Sequence, residues 1–311
     1  MSDRLIDFYK KAKGYYSFQE ENERWMVTTG WFYRLLEFIK QDGVYLDVGC
    51  VGGVIVNEIR KEKQIIGIGS DISLEGCKIG KKSGVGHFVV SDSYKLAFKT
   101  NSIDNVSSFG LLEHVEDPET ALLEIIRVLK VGGYLFLFVP QWLPYGRMRT
   151  KYWEFLLITL CLYFVRCIVR RTSELVTLKI PFKVENKQEW EDRENLKNIN
   201  DLDACSMTLG ISIVDYLKRN NMFEIIAYDT YFHNYNYHKQ KFLIYWKKKL
   251  FTKEFGSIAI RTIYHGIHYM RFKAISSMPI IKHFGHCTSI IAIKKSHFSY
   301  YEKVIGEKLH A

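Results

Sequence analysis

The stretch that decides the fold is Tyr45–Val56, YLDVGCVGGVIV. It passes from an apolar run through three glycines in five residues and back into an apolar run. That pattern reads as a strand, a tight turn and the start of a helix. Such a turn brings bare backbone close to a ligand at the carboxyl end of a parallel sheet. Three ligands suit a turn of this kind. A phosphate-gripping loop needs G-x-x-x-x-G-K-[ST], and the residues after Gly49 supply neither the lysine nor the hydroxyl. A dinucleotide fingerprint needs G-x-G-x-x-G, which GCVGGV (49–54) does not match. GIGSDI (67–72) fails it as well, with Ile72 in the place of the third glycine. The third candidate is S-adenosylmethionine.

Outward from the turn, short apolar runs alternate with amphipathic ones. Strands are expected at Val44–Val48, Ile65–Ile68, His87–Val90 and Ile103–Ser108, and over GGYLFLFVP (132–140). Helices are expected from the turn to Lys61, from a Ser73 cap to about Lys82, and over DPETALLEIIRVLK (117–130), with Pro118 in the first turn. Repeated βα units imply a mainly parallel sheet covered on both faces with right-handed crossovers.

Four segments, in order, resemble the motifs of class I S-adenosylmethionine-dependent methyltransferases, in the group that includes the quinone-biosynthesis enzymes. Asp47 to Gly53 looks like D-x-G-x-G-x-G, with Val51 in place of the middle glycine. GSDIS (69–73) looks like the second motif and VVSDSYKLAF (89–98) like the third. Residues 102–140 are similar to that group almost throughout. The resemblance implies an α/β fold: a three-layer Rossmann-like sheet of about seven strands. Most are parallel, the last is antiparallel, and helical insertions follow strands five and six. It also implies roles. Asp71, with Ile72 after it, takes the ribose hydroxyls; Asp92 and Ser93 take the adenine. Asp47, Gly49, Cys50, Val51, Gly52, Gly53 and Phe109 complete the cofactor site. His114, after the fourth strand, is the candidate base. Methyl transfer is an in-line displacement that mainly needs alignment and water exclusion, so the lack of a catalytic triad is no obstacle.

The expected organisation is a helical segment at 1–43, with Trp31, Phe32, Leu35, Leu36 and Ile39 on one face, and a cofactor-binding core at 44–140. A basic, apolar insertion follows at 141–208. The end of the fold spans 209–295, with an aromatic, basic insertion at about 230–285, and a tail runs over 296–311. Net charge sharpens this division. Residues 1–140 hold 17 Lys+Arg against 19 Asp+Glu, and residues 141–311 hold 27 against 15. Basic character therefore belongs to the second half, which favours an anionic partner. WEFLLITLCLYFVRCIV (153–169), flanked by arginines, reads as an interfacial membrane helix or as a lid or dimer helix. A second basic, aromatic element lies at 238–251. The expected acceptor is a small molecule, a glycan or a lipid-linked group methylated on oxygen, presented in solution or on an anionic membrane surface.

A nucleic-acid acceptor fits less well, because no N/D-P-P-Y/F motif follows the fourth strand. An RNA methyltransferase and a non-catalytic cofactor binder stay as alternatives. Cys50, Cys77, Cys161, Cys167, Cys205 and Cys287 form no C-x-x-C pair, which favours a reducing compartment and signals no zinc site. His265 and His268 lack a third ligand, so no metal is expected. The charged first sixteen residues do not read as a signal peptide, and a cytoplasmic or peripheral membrane location is expected. The sequence leaves the oligomeric state open.

Overall fold

The computed structural model describes residues 9, 23, 24, 26, 27, 30–82, 86–140, 175, 177–179, 205–208, 210–219, 221–231 and 287–296. Its elements, in chain order, are α1 (Gly30–Phe38), β1 (Val44–Val48), α2 (Val54–Glu62), β2 (Ile66–Asp71), α3 (Leu74–Lys82), β3 (His87–Val90) and β4 (Ile103–Phe109). A 3-10 turn at Leu112–His114 leads into α4 (Pro118–Val128), β5 (Leu129–Pro140), β6 (Thr177–Lys179) and β7 (Ser206–Thr208). The chain then forms α5 (Gly210–Arg219), β8 (Phe223–Tyr231) and β9 (Cys287–Lys294).

Seven strands make one sheet in the order β3-β2-β1-β4-β5-β9-β8. The pairs among β1 to β5 are parallel, and β9 runs antiparallel to both β5 and β8. This is the expected Rossmann-like sheet with its antiparallel last strand. β6 and β7 form a separate antiparallel ribbon within the first insertion.

Alternation along the strands splits the core between two faces. Leu46, Val48, Val106, Leu135, Leu137 and Ile290 point to the face covered by α4 and α5. Tyr45, Phe136 and Ile291 point to the other, where α1 supplies Trp31, Phe32 and Leu35 and α2 supplies Ile55 and Ile59. Parallel strands buried on both sides explain why these segments read as continuous apolar runs.

Helix ends follow their caps. Asp117 accepts the Thr120 backbone N–H at 3.1 Å ahead of Pro118, and Ser73 Oγ accepts the Gly76 N–H at 3.2 Å. At the far end of α4, the buried Lys294 Nζ donates to the Ile126 carbonyl (2.8 Å), the Leu129 carbonyl (2.7 Å) and Asn101 Oδ1 (2.9 Å). The last strand thereby satisfies carbonyls that the helix cannot. Burial holds this lysine down at about 8.

Three boundaries differ from the sequence reading. β2 extends to Asp71, because its register with β1 and β3 continues through Ser70 and Asp71. α4 stops at Val128, and β5 begins at Leu129 with an irregularity around Gly132, whose φ is 76°. The insertion at 141–208 contains the β6–β7 ribbon, whose three-residue strands are too short to show a period. The segments at 153–169 and 238–251, His265, His268 and most of the two insertions lie outside the described residues. Among the described residues, no helix is long and apolar enough to cross a membrane.

Candidate functional site

The glycine turn folds onto the carboxyl end of β2. The Gly49 and Cys50 amides both donate to the Ser70 carbonyl, at 2.8 and 3.1 Å, and the Val51 amide donates to Asp71 Oδ2 at 2.9 Å. Three turn residues have left-handed backbone: Gly49 (φ 79°), Val51 (φ 47°) and Gly53 (φ 69°). For a β-branched residue this conformation is strained, by about 1–2 kcal/mol. Asp71 anchors Val51 there. A Cβ on Gly49 would lie 3.1 Å from the Leu111 side chain, and one on Gly53 would lie 2.2 Å from the Phe88 ring. Gly49 thus lets the loop after β4 approach the turn, whereas the bare side of Gly53 admits Phe88. Gly52 is buried, and the Cys50 side chain is buried against Gly69.

Two carboxylates flank the turn. Asp71 ends β2, and its second oxygen, Oδ1, accepts the Ser73 amide at 2.9 Å. Burial pushes its carboxyl up to about 6 against the pull of these amides. Asp47, on β1, is 1% exposed and accepts the Ser107 hydroxyl at 2.7 Å. Burial pushes it up to about 7; the Ser107 bond opposes this and the Asp71 charge adds to it. Among the described residues, none of the groups acting on either carboxylate is a cation.

The remaining expected residues also gather at this sheet edge or just beyond it. Asp92 is half-buried after β3, with Oδ1 accepting the Tyr94 amide at 2.9 Å. Ser93 beside it is buried, and among the described residues its hydroxyl has no hydrogen-bond partner. Ile72 is partly buried between Asp71 and Ser73. Phe109 closes β4 and meets Trp31 of α1 edge to face, with ring centroids 4.6 Å apart. His114 sits in the 3-10 turn, 8% exposed, with Nε2 at 3.8 Å from Glu113 Oε1. β7 covers that turn: Ser206 Oγ donates to the Leu112 carbonyl (2.7 Å) and the Cys205 amide donates to the Glu113 carbonyl (2.8 Å).

Sequence reasoning missed three residues. Ser107 and Tyr45 reach Asp47 only through cross-strand register; a serine pair inside an apolar strand (NVSSF, 105–109) was the available signal. Glu23, from the segment before α1, is buried and accepts the Val54 amide at 3.4 Å, at the start of α2. No periodicity marks it.

The donor set suits S-adenosylmethionine. Asp71 would offer a carboxylate to a ribose diol, Ser93 a hydroxyl beside Asp92 to an adenine, and Asp47 a buried carboxyl that, among the described residues, no cationic side chain offsets. When bound, that group supplies an activated methyl on a sulfonium sulfur. The chain's own part is to align it and exclude water.

Comparison with known proteins places a methyltransferase domain over this part of the chain. Residues 46–137 match the family described as "Methyltransferase domain". The chain is 34% identical over 128 residues to a demethylmenaquinone methyltransferase of Renibacterium salmoninarum, covering 40% of this chain and 51% of that one. It is 36% identical over 100 residues to a ubiquinone biosynthesis O-methyltransferase of Xanthomonas oryzae, covering 30% and 41%. The chain spans about half the length of the curated relatives it matches. Among solved structures, a SAM-dependent methyltransferase from Aquifex aeolicus aligns at 21% identity and TM-score 0.33, covering 38% of this chain and 67% of that one. Residues 46–137 therefore match a methyltransferase domain, and the relatives similar to the chain carry methyltransferase names.

Proposed function

We propose that this protein transfers a methyl group from S-adenosylmethionine to an oxygen of a small-molecule acceptor that is lipid-linked or glycan-like. The observation that carries the transfer reading is the turn itself: Asp71 holds the left-handed Val51 while Asp47 lies buried on the neighbouring strand. In this reading Asp71 takes the ribose and Asp92 with Ser93 the adenine, and Asp47 faces the positive end. His114 takes the acceptor's proton where the acceptor has one to lose.

Two features support the acceptor class. The relatives named above carry names from quinone biosynthesis, and one name specifies an O-methyltransferase. Basic charge is also concentrated where the chain leaves the carboxyl ends of the strands. Pro140 and Tyr231 are both in register with Cys287, so the segments at 141–174 and 232–286 both attach there. Residues 232–286 contain ten Lys or Arg and one Glu. Such a segment attracts an anionic acceptor or head-group surface.

The test has two arms. Purified protein is incubated with methyl-labelled S-adenosylmethionine and cell extracts split into lipid, polysaccharide and RNA fractions. Label in the lipid or glycan fraction supports the reading, and label in RNA alone overturns the acceptor class. Co-sedimentation with anionic liposomes at low salt tests the surface, and no binding removes the membrane element.

A further inference from the structure

Beneath the cofactor edge, Tyr45, Ser107 and Asp47 form a buried hydrogen-bonded chain. The Tyr45 hydroxyl lies 2.5 Å from Ser107 Oγ, and Ser107 Oγ lies 2.7 Å from Asp47 Oδ1. Ser107 has one hydroxyl hydrogen, and its other acceptor, the Leu46 carbonyl, is at 3.4 Å. The hydrogen therefore goes to Asp47 at the shorter distance, and Tyr45 donates to Ser107. Both donors point toward Asp47 Oδ1, leaving Oδ2 outside the chain. Bonds to an ionised acceptor are the stronger kind, and each donor in a chain polarises the next.

The surroundings make that arrangement costly without a ligand. Asp71 acts on Asp47 from β2, while Glu23, Cys50 and Asp47 itself act on Tyr45. Cys77 of α3 in turn adjoins Cys50. Among the described residues, all of these are acidic or neutral groups. A buried carboxylate held ionised among such neighbours calls for a positive charge from outside.

We propose that Tyr45 and Ser107 are positioning residues that favour the ionised form of Asp47 and aim it at the positive charge of S-adenosylmethionine. The site thereby selects the sulfonium cofactor over its neutral sulfide product. This inference rests on the methyltransferase reading above. The product, S-adenosylhomocysteine, has lost one positive charge but keeps the same nucleoside and amino acid. A charge-reading group distinguishes the two where shape does not. Without the Tyr45 hydroxyl, Ser107 loses the donor that polarises it, and its bond to Asp47 weakens. Asp47 then holds its proton to higher pH, and a cationic ligand must displace that proton to bind.

The experiment is calorimetric titration of the full chain with each nucleoside from pH 6 to 8.5, in two buffers of different ionisation heat. Wild-type protein is expected to release protons on binding S-adenosylmethionine and fewer on binding S-adenosylhomocysteine. Tyr45→Phe keeps the ring and removes the donor. It should weaken S-adenosylmethionine by about fivefold to tenfold and S-adenosylhomocysteine by less than about twofold. The pH of half-maximal cofactor affinity should move upward. Ser107→Ala should act in the same direction and more strongly. Parallel weakening of both ligands, or an unmoved pH midpoint, overturns the inference, since a merely structural role would produce either. If neither variant folds, as judged by near-UV circular dichroism, the wild-type proton count decides, and equal counts for the two ligands overturn it. Failure of wild-type protein to bind either nucleoside would instead overturn the methyltransferase reading.

Discussion

Replacing Asp71 with Asn separates the architecture of the turn from its ligand chemistry. The carboxylate accepts two backbone N–H groups, from Val51 and Ser73, each at 2.9 Å. An amide offers one acceptor and one donor, so one of those N–H groups would face an NH₂. Leaving a buried donor unsatisfied costs about 1–3 kcal/mol. Against this, burial has raised the carboxyl from 3.8 to about 6. The ionised form at neutral pH therefore carries a penalty of about 3 kcal/mol, which the neutral amide relieves. The two effects nearly cancel, and the melting temperature should move by no more than about 4 °C. Cofactor binding has no such compensation. Losing charge-assisted bonds to a ribose diol costs about 3 kcal/mol, or about a hundredfold in affinity. Calorimetry with S-adenosylmethionine and a thermal melt on the same sample read both quantities. An affinity within about fivefold of wild type would refute the ribose role of Asp71.

Four further outcomes follow from the geometry. Val51→Gly relieves a left-handed β-branched residue by about 1–2 kcal/mol but frees the unfolded chain by nearly as much, so the melting temperature should stay within about 3 °C. A much larger drop would mean that the Val51 side chain is needed for packing. Lys294→Met strands two carbonyls and Asn101 at the end of α4, and urea unfolding should show a loss of about 3 kcal/mol; a loss below about 1 kcal/mol contradicts that role.

Asp47 and Asp71 are both raised in the folded state, so between about pH 4 and 7 the native protein binds more protons than the unfolded chain. Stability of the cofactor-free protein should therefore fall as pH rises through that window, by a few kcal/mol, and the Asp47→Asn, Asp71→Asn double variant should flatten the profile. A wild-type profile as flat as that of the double variant would contradict the shifts. Finally, His114→Gln should lower kcat by about a hundredfold with a proton-bearing acceptor while leaving cofactor affinity unchanged. Unchanged kcat would remove His114 as the base.

The glycine turn and the Asp117–Pro118 helix start were legible in the sequence because local chemistry fixes both, whereas Asp71 stood out only through the resemblance of GSDIS (69–73) to a family motif. Caps, positive-φ positions and apolar periods act over a few residues. Ser107 was not legible, because its meaning depends on sitting beside Asp47 in a parallel pair 60 positions away. Glu23 escaped for the same reason, lying 31 positions before the amide it accepts. The β6–β7 ribbon gave no pattern, since three-residue strands cannot show alternation, yet it carries the contacts that roof the His114 turn. Gly53 was legible as a motif residue, but its contact with the Phe88 ring appears only in three dimensions.

A crystal structure with S-adenosylhomocysteine tests the central claim most directly. The nucleoside should lie across Gly49–Gly53, with its ribose hydroxyls on the Asp71 carboxylate and its adenine beside Asp92 and Ser93. A nucleoside bound elsewhere, with the Val51 side chain filling the turn's open face, would contradict it.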